Sequence, residues 1–575
     1  MLQRALLRHT AFLGETGRLA GAISRNWLVG IRQTNPAILD MFRDRELAPY
    51  RDLLPWSGEF AGKYLTGAHA IYQVTQNAEL LAYVQSFLDE LLSLQAPDGY
   101  LGCYRQECRL TGAFSQQPEK SGCTWDAWSH YHIMYGLYVW YQETGDRRCW
   151  DAVLRIAHLF LRSFYGQKPS LVSIGNSEMN LAVYHMFALL YRETGEEQYL
   201  DFARHIEEDL RSPQAGDYLR LALAGQEFYQ GPKPRWESLH VIMGFAELYR
   251  ATNDEQYLQA ACQIVNSILR TDVHNTGAFS TEEQAVGHPY QNGNIETCCV
   301  VAFNALAAQV YSLTGNPLLA DHLERSHYNA VLGYYSPTGR WSTYNTPMDG
   351  VKCANYHSIV FQSRPGSPEL NCCSVNAPRG VGLIASWALM EEEGTLYINQ
   401  YEAMQAQTQA GLSISIGGDY PCGCRVTVQL DGGVRQKIRF RIPSWSRQTI
   451  VQLGQEEFRP APGAYWELER QWSGETLLFA FDFTPRLEPG ARDYQDCYSV
   501  LAGPVLYAWD RARNPALPFG PPALSSRQLL QSKPQRAEDG ASVLRLPGGA
   551  ELVDFQHAGV SGSAYQTWLP VAGEP

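Results

Sequence analysis

Leu190-Tyr191-Arg192-Glu193-Thr194-Gly195 runs directly into Glu196-Glu197-Gln198-Tyr199-Leu200-Asp201-Phe202-Ala203, and how this stretch is read decides the fold. The first six residues are an instance of apolar-Tyr-x-x-Thr followed by Gly, Asn or Gln, a pattern that recurs with tyrosines at 72, 141, 191, 249 and 311. Each copy closes an amphipathic stretch, and another such stretch begins within about five residues. A Gly or Asn just past the last turn provides a left-handed C-cap, and acidic residues after it suit the start of a second helix. Each copy therefore predicts a helical hairpin. The tyrosine spacings of 69, 50, 58 and 62 residues are too uneven for an open solenoid of fixed repeat. Five copies and a sixth helix expected near Gly380–Leu389 predict a closed ring of about six hairpins, an α/α toroid, with an open helical array as the alternative.

After about residue 394 the hydrophobic period falls from 3.6 to 2, as in Leu396-Tyr397-Ile398 and Ile438-Arg439-Phe440-Arg441-Ile442. Strands that follow a run of helices imply segregated α and β domains. The expected division is a toroidal catalytic domain over 1–393, a β-sandwich over 394–511, and a linker with a C-terminal β segment over 512–575. The 575 residues allow that many domains.

The 46 Lys+Arg against 59 Asp+Glu give a net charge of −13 with no basic stripe, which argues against nucleic acid as a partner. No run of about 18 apolar residues predicts a membrane span, and the first residues lack a secretory pattern. The expectation is a soluble, cytoplasmic protein; a homodimer is left open. Thirteen cysteines in a chain this long suggest free thiols or metal ligands rather than a disulfide framework.

Four of those cysteines form adjacent pairs, Cys298-Cys299 and Cys372-Cys373. In Asn294-Ile295-Glu296-Thr297-Cys298, residues two apart point in different directions once helical, so Glu296 and Cys298 converge only at a non-helical entry to the helix that follows. Cys372 and Cys373 are expected on a loop that turns both sulfurs inward. One carboxylate and three thiolates suit a tetrahedral zinc ion. A filled shell ordinarily signals structural zinc. The alternative is that the excess negative charge leaves one bound sulfur nucleophilic.

Together with Gly58-Glu59-Phe60-Ala61-Gly62-Lys63-Tyr64-Leu65, Thr276-Gly277-Ala278-Phe279-Ser280-Thr281-Glu282-Glu283 and Arg441-Ile442-Pro443-Ser444-Trp445, these motifs resemble glycoside hydrolase family 127, the β-L-arabinofuranosidases, over about residues 25 to 510. The resemblance implies a toroid with β-sandwich domains, Zn2+ held by Glu296, Cys298, Cys372 and Cys373, and a retaining mechanism with Cys372 as nucleophile. It implies Glu283 as general acid/base, kept protonated by partial burial and the nearby anions, with Glu282 as the competing choice. His132 and Tyr344 lie where the family places sugar contacts, although packing explains either side chain nearly as well. Asn176 stands where the family has a histidine. His240 is a candidate from local chemistry, or helix-face filler. Trp56 and Glu59 are candidates for one wall of the sugar pocket, or packing of the first hairpin. Cys422-Gly423-Cys424 reads as a strand turn.

The function this implies is exo-acting removal of terminal β-L-arabinofuranosyl residues from an oligosaccharide or glycoside. The alternatives are the same chemistry on an acidic or branched sugar, and a sugar-binding scaffold with structural zinc.

Overall fold

The computed structural model describes residues 1–51, 53–113, 124–166, 170–354, 370–517, 520–521 and 523–572. Five helical hairpins follow one another: α1 (Glu59–Thr75) with α2 (Ala78–Ser93), α3 (Asp126–Thr144) with α4 (Arg147–Phe164), α5 (Val183–Thr194) with α6 (Glu197–Leu210), α7 (Ser238–Thr252) with α8 (Glu255–Thr271), and α9 (Thr297–Thr314) with α10 (Pro317–Ser326).

The repeated tyrosine motif is the hinge of every hairpin, and each of its residues has a task. The carbonyls of Tyr72, Tyr141, Tyr191, Tyr249 and Tyr311 each accept the cap N–H, at 2.8 Å, from Gln76, Gly145, Gly195, Asn253 or Gly315. All five caps are left-handed, the conformation that Gly and Asn reach at least cost. The threonine hydroxyls of Thr75, Thr144, Thr194, Thr252 and Thr314 donate to the carbonyl of the apolar residue before the tyrosine, satisfying another terminal acceptor. Asn77, Asp146, Asp254 and Asn316 then cap the N-termini of the outer helices.

The odd-numbered helices line the inside and are buried almost all round; their outer partners carry one apolar face. A sixth inner helix, α11 (Cys372–Gly382), packs on both α9 and α1, and neighbouring inner helices touch all the way round, so the ring is closed. α11 starts at Cys372, earlier than expected, and the cysteine pair is therefore helical rather than on a loop. Asn371 and Ser374 form a reciprocal capping box that nucleates the helix there. Pro378 is accommodated inside it because the facing Gly67 leaves room for its ring.

The β half contains a five-stranded and a seven-stranded sheet. Alternate residues such as Val426, Val428 and Leu430 point into the core. The N-terminal strands Gln3–Arg4 and Leu7–Phe12 are edge members of these two sheets, so the chain begins in the β layers and not in the toroid. A third sheet joins Cys497–Ala502 and Val505–Asp510 to Ser542–Arg545, Glu551–Asp554 and Leu569–Ala572. Residues on both sides of position 511 thus share hydrogen bonds. The stretch expected as a linker contributes the helix Ser526–Gln531 and the strand Ser542–Arg545.

Arg441 of the Arg-Ile-Pro-Ser-Trp motif fastens the halves together. Its fully buried guanidinium pairs with Asp321 and Glu324 of α10, and Glu324 also accepts from the Tyr420 hydroxyl and the Trp445 indole. α9 is the one described helix long and apolar enough to cross a bilayer, and it is an inner helix of the ring with 72% of that window buried.

Candidate active site and metal centre

The candidate residues gather where the inner helices begin. Glu296 is the extended N-cap of α9 and Cys298 lies in its first turn, the non-helical entry that lets both side chains face one point. Cys372 and Cys373 occupy the first turn of α11. Free N–H groups and the helix dipole favour thiolates at both places.

The carboxylate and three sulfurs lie within 4.8 Å of one another. Cys373 Sγ is 3.2 Å from Glu296 Oε1 and 3.6 Å from Cys298 Sγ; Cys372 Sγ is 3.6 Å from Glu296 Oε1 and 3.9 Å from Cys373 Sγ. A tetrahedral cation bound at about 2.3 Å to sulfur and about 2.0 Å to oxygen requires donor separations of about 3.5–3.8 Å. The donor set and its spacing fit such an ion. Without one, burial and the Cys298 charge hold the Glu296 carboxyl well above its usual range. Burial also opposes ionisation of Cys298, but hydrogen bonds from Cys372 and Cys373 and the Lys63 ammonium outweigh it and hold that thiol well below the usual range.

The model of the "Beta-L-arabinofuranosidase, GH127 catalytic domain" matches residues 36–384, more than half of the chain, and that of the GH127 middle domain matches residues 395–482. The chain belongs to glycoside hydrolase family 127. Among curated proteins it is similar to a non-reducing end β-L-arabinofuranosidase of Bifidobacterium longum subsp. longum, 23% identical over 512 residues, covering 79% of this chain and 75% of that protein. Among solved structures it resembles a GH127 β-arabinofuranosidase (TM-score 0.79, 18% identity, 99% of this chain and 98% of that one). It also resembles a GH127 β-L-arabinofuranosidase from Geobacillus stearothermophilus T6 (TM-score 0.78, 16% identity, 98% and 100%). These two likenesses establish the toroid and the β domains.

In this GH127 chain, Thr297 N donates to Tyr344 O at 2.9 Å and Thr346 N to Ile295 O at 3.0 Å. That strand-like pairing carries Tyr344 over the cluster, with its hydroxyl 3.4 Å from Cys372 Sγ. His132 of α3 and His240 of α7 face each other, ring centroids 5.3 Å apart and both buried. Burial first, then the neighbouring cations, holds both imidazoles far below their usual pKa and therefore neutral. Tyr131 OH meets His240 Nδ1 at 2.8 Å and His185 Nδ1 at 3.0 Å, whereas both nitrogens of His132 and Nε2 of His240 have no hydrogen-bond partner. Unsatisfied buried nitrogens of this kind suit ligand hydroxyls.

Glu282 and Glu283 are the central residues of a tight turn in which Gln284 N donates to Thr281 O at 3.0 Å. Both have positive φ, 49° and 63°, as in a type I′ turn. Their side chains diverge. Exposed Glu282 accepts from Asn294 Nδ2 at 2.8 Å, and Glu283 accepts from Arg235 Nη2 at 2.8 Å. Arg235 also bridges to Glu237 at 2.8 Å, and Glu283 contributes to the negative potential felt by Glu296. Of the two, Glu283 is the carboxylate whose charge reaches Glu296.

The remaining candidates stand farther back. Asn176, itself left-handed, precedes the helix Ser177–Asn180, and Asn180 Oδ1 accepts from Trp128 N at 3.2 Å, which ties that segment to α3. Trp56 packs against Trp125 with the rings tilted and their centroids 5.0 Å apart, and Trp125 meets Trp128 edge-on. Glu59 is almost fully buried, with one oxygen on Lys63 Nζ at 2.8 Å and the other accepting from the Trp128 indole. Cys422-Gly423-Cys424 is a turn before the strand Arg425–Asp431, as expected. None of the twelve described cysteines is in a disulfide; Cys123 lies outside the described residues.

Sequence reasoning missed Lys63, Arg235 and Glu237. The Glu59-x-x-x-Lys63 spacing, an i,i+4 ion pair on an otherwise apolar helix, was the available signal for the first.

Proposed function

We propose that the chain is an exo-acting, retaining glycoside hydrolase that removes terminal β-L-arabinofuranosyl residues from short glycans, with Cys372 as nucleophile and Glu283 as general acid/base. The observation that carries this reading is the inequality of the three clustered sulfurs. Cys372 keeps 6% of its surface exposed, whereas Cys298 and Cys373 keep none, which supports Cys372 as the cysteine that meets the sugar.

Glu296, Cys298, Cys372 and Cys373 would hold a zinc ion, whose positive charge, when bound, keeps the sulfurs deprotonated at neutral pH. The Cys372 sulfur attacks the anomeric carbon while Glu283 gives its proton to the departing glycosidic oxygen, and the C–O bond breaks. The sugar is then held on Cys372 as a thioglycoside. Glu283, now a carboxylate, takes a proton from water; the water oxygen bonds to the anomeric carbon and the C–S bond breaks. Two inversions restore the starting configuration. Arg235 assists the change of role, because Glu283 can release it while Glu237 still pairs with it. His132 and His240 offer neutral nitrogens to sugar hydroxyls, and Tyr344, Asn176 and the Trp56–Trp125–Trp128 series form the surroundings.

The test is release of L-arabinose from p-nitrophenyl β-L-arabinofuranoside and from a hydroxyproline-linked arabinooligosaccharide, with the first-formed anomer read by NMR. Wild type should turn over with retention, and Cys372→Ser should abolish turnover while keeping the fold. Inversion would remove the covalent mechanism. Turnover of a different furanoside alone would replace the substrate, and metal binding without turnover of any glycoside would leave a scaffold.

A further inference from the structure

Lys63 lies on α1 with no solvent exposure, and its surroundings are complete on every side. The ammonium is 2.8 Å from Glu59 Oε1 and 3.7 Å from Cys298 Sγ. It stands over the indole faces of Trp128 at 5.8 Å and Trp236 at 5.2 Å. Trp128 in turn donates to the second oxygen of Glu59. A carboxylate, two aromatic faces and a sulfur all recognise a cation, and each is fixed by another group. This lysine therefore has one position.

The charge of the cluster explains why a cation belongs there. One carboxylate and three thiolates carry four negative charges, and a divalent ion offsets only two of them. The surplus is buried, where leaving a charge uncompensated is costly. Lys63 is hydrogen-bonded to just one of the three sulfurs, and that sulfur belongs to Cys298 rather than to the partly exposed Cys372. We infer that Lys63 is a positioning residue that neutralises the Cys298 thiolate, making it a spectator ligand and leaving the surplus charge of the metal shell on Cys372. Glu59 and the indoles of Trp128 and Trp236 act through Lys63 by holding the ammonium on that sulfur.

This inference rests on the cluster holding a divalent metal, and the test separates the two. Metal content and Zn2+ affinity are measured by competition with a chromophoric chelator for wild type, Lys63→Met and Lys63→Arg, and thiolate-to-metal absorption is recorded on the Co2+-substituted proteins. Removing a cation hydrogen-bonded to a ligand should change Zn2+ affinity about 10- to 100-fold. It should also move the Co2+ charge-transfer band to longer wavelength, because the unneutralised sulfur is the better electron donor. Lys63→Arg should restore most of both properties. Since Lys63 does not face the sugar, kcat should fall in Lys63→Met with KM little changed. Should that variant fail to fold, the pair Glu59→Gln/Lys63→Met, which removes the Glu59 carboxylate together with its cation, carries the same comparison. Wild-type Zn2+ affinity and an unshifted cobalt spectrum in a folded lysine variant would overturn the assignment. A wild-type protein that takes up no divalent metal would overturn the metal-dependent function itself.

Discussion

Gly62→Ala should damage the active site without altering any residue that meets the sugar. Gly62 is where α1 crosses α3. A Cβ built there lies 2.1 Å from the carbonyl carbon of His132 and 2.4 Å from the nitrogen of Ile133, where ordinary contact begins at 3.4 Å. These are backbone atoms, so no side chain can swing aside. The two helices must part by about 1 Å, and overpacking of this kind costs about 1–3 kcal/mol. The residue that follows is Lys63, and the residue struck is His132, so the separation opens the gap between the lysine that meets Cys298 and the histidine proposed to meet the sugar. A displacement of about 1 Å at a reacting centre can reduce turnover about 100-fold. Gly145→Ala is the control. That glycine is a left-handed C-cap with φ 73° and nothing within 4 Å of a built Cβ, so alanine costs about 1 kcal/mol of backbone strain and disturbs no neighbour. Thermal unfolding, bound metal per chain and kcat/KM on a β-L-arabinofuranoside should be measured for both variants. Both should lose stability, but only Gly62→Ala should lose metal and turnover. A Gly62→Ala protein with the metal content and kcat/KM of Gly145→Ala would refute the argument that the close approach of α1 and α3 sets the site.

Three further outcomes are expected. Glu283→Gln should lower kcat by about 100-fold or more, the usual contribution of a general acid, whereas Glu282→Asn, which tolerates the left-handed turn better, should retain most activity; the reverse order in steady-state assays would exchange their roles. Burial pushes the Glu237 carboxyl up to about 7 against the pull of Arg235, from an ordinary 4.5. Ionising it therefore costs the folded state nothing below pH 4.5, increasingly more as pH rises through 7, and the full amount above that. Glu237→Gln should accordingly raise the unfolding temperature relative to wild type at pH 8 and leave it unchanged near pH 4.5. Arg441→Met should destabilise by about 3–5 kcal/mol because the fully buried Glu324 and the partly buried Asp321 are left without their cation, and denaturant unfolding followed by fluorescence should show the toroid and β domains separating.

The ring was legible in the sequence because its signal is local. The tyrosine carbonyl, the threonine hydroxyl and the left-handed cap of each repeat bond within one helical turn, so five residues suffice to announce the end of an inner helix. The entry at Glu296 was legible for a similar reason, since the 3.6 period forbids Glu296 and Cys298 from converging inside a helix. The start of α11 was not. Asn371-x-x-Ser374 is a capping signal, but Pro378 argues against a helix until Gly67 of α1, some three hundred residues away, is known to receive it. The third sheet was hidden for the same kind of reason, as its strands lie on both sides of a Pro- and Gly-rich stretch and are joined only by hydrogen bonds across the chain.

The sequence by itself determined the six-fold helical ring, the β-rich half behind it and the identity of four clustered donors, because period, capping and residue chemistry are properties of short segments. The tertiary structure alone decided that Cys372 and Cys373 meet Glu296 and Cys298, which cysteine of that cluster keeps some exposed surface, and where a buried lysine places its charge. Those outcomes depend on the distances between helix ends that closure of the ring brings together, and a distance between remote segments is set by packing rather than by either segment.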